Sequence, residues 1–320
     1  TDEHITSPYT GSSFMSQEPQ ATGLGEQFAD AVEFVSPGVV NVHGRRRLPG
    51  TGIVLTVDDA NSVIVTASHV VEREDNLSIY LADGSKVAAT LLGRDLSRDL
   101  AVLRAETTRL SAVSDRPRMP RVGTFVMAVG RPWAFTPQAT FGTVNAVGQI
   151  HSRRTSGIQL IHTDVTMLPG FSGGPLIDAT GSVTGVNTSG LLRMANITIP
   201  IDQVRAAASD ILAYGYVRSG WIGVTVQPVT LPEYARGDVE EHDSGLLVSG
   251  IAEGSPAAQA GLLLGDILVS VADGPLGDAT DLKHALGSER IGQALDFGIL
   301  RGGASQSVSI TPVERPDPAG

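Results

Sequence analysis

The chain contains no cysteine, so disulfide staples, thiolate catalysis and cysteine-ligated zinc are all excluded. That absence does not decide the compartment. Basic residues are scarce: 23 Lys and Arg against 34 Asp and Glu give a formal net charge of −11. A nucleic-acid partner is therefore not expected, because phosphate binding needs a basic surface. The basic triplet Arg45-Arg46-Arg47 reads as a solvated loop. No apolar run approaches the ~18 residues of a membrane-spanning helix, and no signal peptide is visible. The chain begins with Thr1 rather than Met, and the expectation is a mature or trimmed form whose leader or anchor was removed. Membrane attachment would need a segment that this sequence does not carry. The histidines form no His-x-x-x-His or comparable ligand spacing, so neither a metal nor a cofactor is expected.

At 320 residues, 41% of them hydrophobic and 37 of them glycine, the chain fits two strand- and turn-rich domains with sizeable cores. The most informative stretch is 163–177, centred on Gly170-Phe171-Ser172-Gly173-Gly174-Pro175. A serine that attacks a carbonyl needs backbone N–H groups aimed at the oxyanion it creates. A glycine-bordered turn can aim them, because glycine reaches dihedrals that Cβ forbids. The donors would be the N–H groups of Gly170 and Ser172. Alone, the same residues could be a turn before the strand Leu176-Ile177.

The hydroxyl is a weak nucleophile without a base, and the base needs a carboxylate to fix its tautomer. Upstream stand Val65-Thr66-Ala67-Ser68-His69-Val70-Val71 and Ser97-Arg98-Asp99-Leu100-Ala101-Val102-Leu103. Each sets a polar residue beside an apolar β-forming run, where a barrel strand would begin or end. The order His, Asp, Ser, with steps of 30 and 73 residues, is far more specific than any one fragment.

From about residue 26 to 314 the chain resembles an HtrA (Deg) serine protease, a family built from a chymotrypsin-like double β-barrel and a PDZ domain. The resemblance is carried by Gly50-Thr51-Gly52-Ile53-Val54, the His69 segment, Thr163 to Pro175, Gly185-Val186-Asn187-Thr188 and Ile199-Pro200. It implies a mostly β fold with an α+β PDZ domain at the C-terminal end. It also implies a triad of His69, Asp99 and Ser172. Asp95 competes with Asp99, but only Asp99 directly precedes Leu-Ala-Val-Leu as the family's aspartate does. Asp164 lies outside that pattern and is expected to hydrogen-bond within its own loop.

In such a fold three stretches wall the primary pocket: Thr166-Met167-Leu168-Pro169, Thr188-Ser189-Gly190 and Asn196-Ile197-Thr198. None offers a carboxylate to a buried Arg or Lys, so cleavage after small or medium apolar residues is expected. Asn196-Ile197-Thr198 departs from the family's Gly-Phe-Ala, which leaves the pocket's depth open. Phe171 stands where the family has Asn, and it either perturbs the oxyanion donors or packs into the loop.

Along the chain, 1–25 reads as a flexible tail and 26–213 as the protease domain, closed by a helix burying Ile201, Val204, Ala208, Ile211 and Leu212. Residues 214–220 link to the PDZ domain at 221–314, and 315–320 is a tail. In the PDZ domain, Trp221-Ile222-Gly223-Val224 supplies the N–H groups that hold a peptide's C-terminal carboxylate. The resemblance further implies a homotrimer built through N-terminal aromatics (Tyr9, Phe14, Phe28) and an extracytoplasmic site. It implies activity, without ATP, on unfolded or damaged proteins, gated by C-terminal peptides. A latent protease acting as a peptide-binding chaperone or stress sensor is the alternative.

Overall fold

A computed structural model describes residues 23–46, 48–133, 136–149, 158–191, 196–231, 243–272 and 274–315. Tyr9 and Phe14 lie outside them, as do Arg47 and the tail beyond Arg315. Helix α1 (Leu24–Val35) precedes a closed antiparallel barrel. Its strands are β1 (Val39–His43), β2 (Gly50–Val57), β3 (Ser62–Ala67), β4 (Ser78–Tyr80), β5 (Lys86–Asp95) and β6 (Leu100–Ala105), in the order β1-β2-β3-β6-β5-β4. A second closed barrel holds β7 (Phe125–Gly130), β8 (Gln138–Gln149), β9 (Gln159–Thr163), β10 (Pro175–Asp178), β11 (Val183–Thr188) and β12 (Ile197–Pro200). Its order, β10-β11-β12-β9-β8-β7, is the same cyclic order as the first barrel's. The sequence shows no internal repeat, so the duplication is one of topology alone.

Side chains alternate between the two faces of a strand, and here both faces are covered. On β3, Ile64 fills the first barrel while Val63 and Val65 face the second. On β7, Val126 and Ala128 fill the second barrel, and Met127 and Val129 join the seam. Near-continuous apolar runs are the sequence trace of this two-sided burial.

Helix α2 (Ile201–Tyr214) covers the seam with Ile201, Val204, Ala207, Ala208 and Ile211, and ends at Gly215 in the left-handed conformation (φ +83°). Leu212, expected on that face, is 42% exposed: the buried stripe runs through Ala207 instead.

The C-terminal domain is an antiparallel sheet in the order β14 (Val224–Thr230), β15 (Ser244–Ile251), β16 (Ile267–Val271), β18 (Leu295–Arg301), β19 (Ala304–Ile310), with β17 (Gly274–Pro275) beside β16. The short pair β13 (Gly220–Trp221) and β20 (Val313–Glu314) closes its base. Helices α3 (Pro256–Gln259) and α4 (Ala279–Ala285) complete it, α4 starting at a reciprocal cap between Asp278 and Asp281. Strand β14 is an edge, paired on one side with β15.

Candidate active site

Strand β3 ends in a single 3₁₀ turn, Ser68–Val70, which sets His69 at the barrel rim. Arg94 steadies that turn, donating to the carbonyl and hydroxyl of Ser68 at 3.1 and 3.2 Å. Between β5 and β6 the chain turns tightly around Asp95. Its carboxylate accepts from the Ser97 and Arg98 N–H groups and pairs with the Arg98 guanidinium at 2.8 Å. Burial opposes the Asp95 charge, but Arg98 and these donors together hold its carboxyl below the ordinary value. Asp95 is therefore the turn residue that leaves Asp99 facing His69. Asp99 has φ +55°, a left-handed conformation that aspartate tolerates better than most side chains. Its Oδ2 lies 2.6 Å from His69 Nδ1, and its Oδ1 accepts the His69 backbone N–H at 3.0 Å. The buried Thr188 hydroxyl also donates to Oδ2.

Ser172 sits on a loop strapped to the first barrel through Thr51. The Thr51 N–H donates to the Ser172 carbonyl at 3.0 Å, and its hydroxyl donates to the Gly170 carbonyl at 2.7 Å. Gly173 (φ +85°) allows this approach, because a Cβ there would lie 2.0 Å from the Thr51 carbonyl and 2.2 Å from the Thr66 hydroxyl. Phe171 is fully buried in the second barrel beside Gly130, where a Cβ would meet its ring at 2.3 Å. The side chain is thus absorbed by the core. Among the described residues, the N–H groups of Gly170 and Ser172 donate to no protein acceptor, whereas the Gly173 N–H is taken by the Asn187 carbonyl at 2.8 Å. Gly170 is buried and Ser172 half-buried, and this pair of N–H groups borders the nucleophile.

His69 and Ser172 line one cavity of about 260 Å³, together with Arg45, Leu48, Met167, Leu168, Pro169, Gly170, Thr188 and Ser189. The Ser172 hydroxyl is bonded to the Ser189 hydroxyl at 3.0 Å, and no hydrogen bond joins it to His69. Several expected wall residues lie elsewhere. Thr166 is exposed, with its carbonyl bonded to the Thr140 hydroxyl at 2.8 Å. Ile197 and Thr198 are buried in β12, the Thr198 hydroxyl committed to Asn187 at 2.7 Å, and the Asn196 carbonyl accepts from Thr163. Gly190 abuts the triad itself: a Cβ would come 2.4 Å from Asp99 Oδ2 and 2.7 Å from His69 Nδ1.

Arg45 and Leu48 were not foreseen; the β1–β2 connection that carries them gave no signal beyond its basic triplet. Asp164 bonds to the Thr143 N–H and hydroxyl on the neighbouring strand β8, not within its own loop.

In the C-terminal domain, Trp221 leads into Ile222 and Gly223, whose N–H groups likewise donate to no acceptor among the described residues. Their carbonyls are held by Ala257 N–H (2.9 Å) and Ala252 N–H (2.8 Å). Gly223 has φ +83°, and a Cβ on it would lie 2.1 Å from Ser255 Cβ. Val224 then opens β14, an edge strand among the described residues, with α4 lying against it.

Two six-strand antiparallel barrels with a His–Asp pair and a serine at their seam define a trypsin-like serine peptidase, here followed by a second domain built on an antiparallel sheet. Comparison with known proteins agrees: residues 50–186 match the trypsin-like peptidase domain and 220–311 the PDZ domain. The chain belongs to the HtrA (Deg) family of serine proteases. It is 33% identical over 274 residues to a protein of Pseudomonas savastanoi pv. phaseolicola named as a probable periplasmic serine endoprotease, DegP-like; the match covers 84% of this chain and 56% of that protein. A protein of Halomonas elongata with the same name is 31% identical over 92% of this chain and 62% of its own length. The chain thus spans roughly three-fifths of these curated relatives or less. Among solved structures, the HtrA-type protease AlgW with a tripeptide superposes with TM-score 0.72 at 29% identity, covering 92% of this chain and 99% of that one. The serine endoprotease from Yersinia pestis gives 0.65 at 27%, covering 90% and 98%.

Proposed function

We propose that the chain is an ATP-independent serine endopeptidase of an extracytoplasmic compartment, acting on unfolded or damaged polypeptides. The observation that carries this reading is the 2.6 Å His69–Asp99 pair opening, with Ser172 and two unused N–H groups, onto one cavity. Asp99 accepts the Nδ1 proton of His69, leaving Nε2 as the base. As Ser172 Oγ bonds to the scissile carbonyl carbon, its proton passes to Nε2, and the oxyanion turns toward the N–H groups of Gly170 and Ser172. Each such donor contributes ~2.7–4 kcal/mol to the transition state. His69 then gives the proton to the leaving amine, and water repeats the sequence on the acyl-enzyme.

The substrate lies extended beside Thr188–Gly190, with its P1 side chain against Met167 and Leu168. Among the described residues no carboxylate lines that cavity and Arg45 adds a like charge, so a basic P1 is disfavoured and small or medium apolar residues are accepted. The protease domain spans 26–213 and the PDZ domain 221–314, joined by 214–220. The free edge β14 takes C-terminal peptides as an added strand, their carboxylate on the N–H groups from Trp221 to Val224. Such binding shifts the protease toward its competent state. Phe28 packs on Phe141 and Phe125 (centroids 4.8 and 6.4 Å), and the half-exposed outer pair offers the apolar face for a homotrimer.

The Ser172–Ser189 bond favours a second reading, a latent protease that chiefly holds peptides as a chaperone or stress sensor. Casein digestion and fluorophosphonate labelling separate the two. The endopeptidase reading expects both in wild type and neither in S172A, with a hydrophobic C-terminal peptide raising the rate. No labelling, even with that peptide, would leave only the peptide-holding role.

A further inference from the structure

We propose that Ser189 is a positioning residue that holds the Ser172 hydroxyl away from His69 in the empty site and so sets the fraction of enzyme poised to attack. The inference rests on the peptidase reading above. Three consecutive residues at the end of β11 touch the triad in different ways. The Thr188 hydroxyl donates to Asp99, the Ser189 hydroxyl bonds Ser172 at 3.0 Å, and the Gly190 backbone abuts both Asp99 and His69. The Gly190 N–H is itself tied to the Thr188 hydroxyl at 2.9 Å, so this tripeptide is held in one conformation from both ends.

A serine hydroxyl has one proton and two lone pairs. If Ser172 donates to Ser189, its proton is not available to His69. If it accepts, one of its two lone pairs is engaged and the oxygen is still drawn toward Ser189. In either sense the bond holds the hydroxyl at Ser189 and not at His69, and it opposes attack by about 2- to 10-fold, the factor a single neutral hydrogen bond carries. Release is built into substrate binding, because a strand laid along Thr188–Gly190 covers Ser189, which is exposed in the empty site. A small probe that does not span that strand therefore meets the latched enzyme, and a long peptide meets the released one.

The test compares full-length wild type, S189A and S189T, with S172A as the blank. The readouts are the fluorophosphonate labelling rate across roughly pH 6 to 9 and kcat for an extended peptide. S189A is expected to label about 2- to 10-fold faster at the alkaline plateau, with the pH midpoint unmoved. Its kcat on the long peptide should change less than twofold, by the same arithmetic, and S189T should return labelling to the wild-type rate. Labelling of S189A at or below the wild-type rate would overturn the proposal while leaving the peptidase standing. Labelling of neither protein would remove both readings, and labelling of S189A alone would establish both.

Discussion

Replacing Thr188 by Val isolates one hydrogen bond to the triad carboxylate. Thr188 is 1% exposed, its hydroxyl donates to Asp99 Oδ2, and it accepts the Gly190 N–H at 2.9 Å. Valine keeps the β-branched shape and removes only the polar atom. Asp99 retains the His69 Nδ1 contact at 2.6 Å and the His69 N–H at 3.0 Å, so the imidazole stays in place while its carboxylate loses a lateral anchor. A hydrogen bond to a charged group contributes ~1.5–3 kcal/mol. Felt in the transition state, that is about a 10- to 150-fold fall in kcat, each 1.36 kcal/mol being a factor of ten. KM should move little, since valine keeps the side-chain volume at this buried position. The stranded Gly190 N–H adds ~1–3 kcal/mol of lost folding stability at most, less where water reaches it. Steady-state cleavage of a fluorogenic peptide with an apolar P1, beside chemical denaturation, measures both effects. T188S retains the hydroxyl and should stay close to wild type. T188V cleaving at the wild-type rate, or T188S failing as badly as T188V, would refute this account, the second by showing that the methyl and not the hydroxyl matters.

Asp95→Asn should lower stability by ~1–3 kcal/mol by weakening the Arg98 pair, yet leave Ser172 labelling intact. Asp99→Asn should cut labelling by several orders of magnitude, on the order of 10⁴, and the opposite pattern would reverse the assignment of the two aspartates. Gly223→Ala drives a Cβ to 2.1 Å from Ser255 Cβ, so it should abolish binding of a fluorescent C-terminal peptide while basal labelling persists; unchanged anisotropy would remove the carboxylate loop from Trp221–Val224. His284 on α4 is pushed down to about 4, first by burial and then by the Arg98 and Lys283 cations. The unfolded chain takes that proton near 6.5 and the folded one only near 4, so stability falls as pH drops through that window. H284Q should flatten the fall in urea melts taken across it, and an unaltered slope would contradict the burial argument.

The parts of the site written in short contiguous stretches were legible. His69 and Asp99 each sit where an apolar run meets a polar turn, and the glycines around Ser172 announce a tight loop. The choice between the two aspartates came from the family's pattern, in which the triad aspartate directly precedes Leu-Ala-Val-Leu; the turn that Ser97 and Arg98 build on Asp95 showed only in the fold. What was not legible depends on register between distant strands. Two barrels share one strand order with no repeat in sequence, because only the apolar alternation is demanded and many side chains satisfy it. Ile197 and Thr198 read as pocket walls, but their pairing with His162 and Ile161 buries them in β12.

Phe171, a departure from the family's pattern, takes its meaning from a partner far along the chain. Phe171 would be alarming beside a nucleophile if its side chain entered the cleft. It does not, because Gly130, 41 residues earlier, leaves a hollow that a ring fills and a Cβ would close. Its backbone is held separately, the Phe171 N–H donating to the Leu168 carbonyl at 3.1 Å and the Gly170 carbonyl accepting from Thr51. The side chain therefore answers to the second barrel's core, and the peptide on either side of it answers to the strap from the first barrel. The same division holds across the cleft, where Thr188, Ser189 and Gly190 look from sequence like a surface for substrate. Folded, they are the backs of the triad's own contacts, so a change in that tripeptide alters the enzyme's readiness before it alters what the enzyme grips.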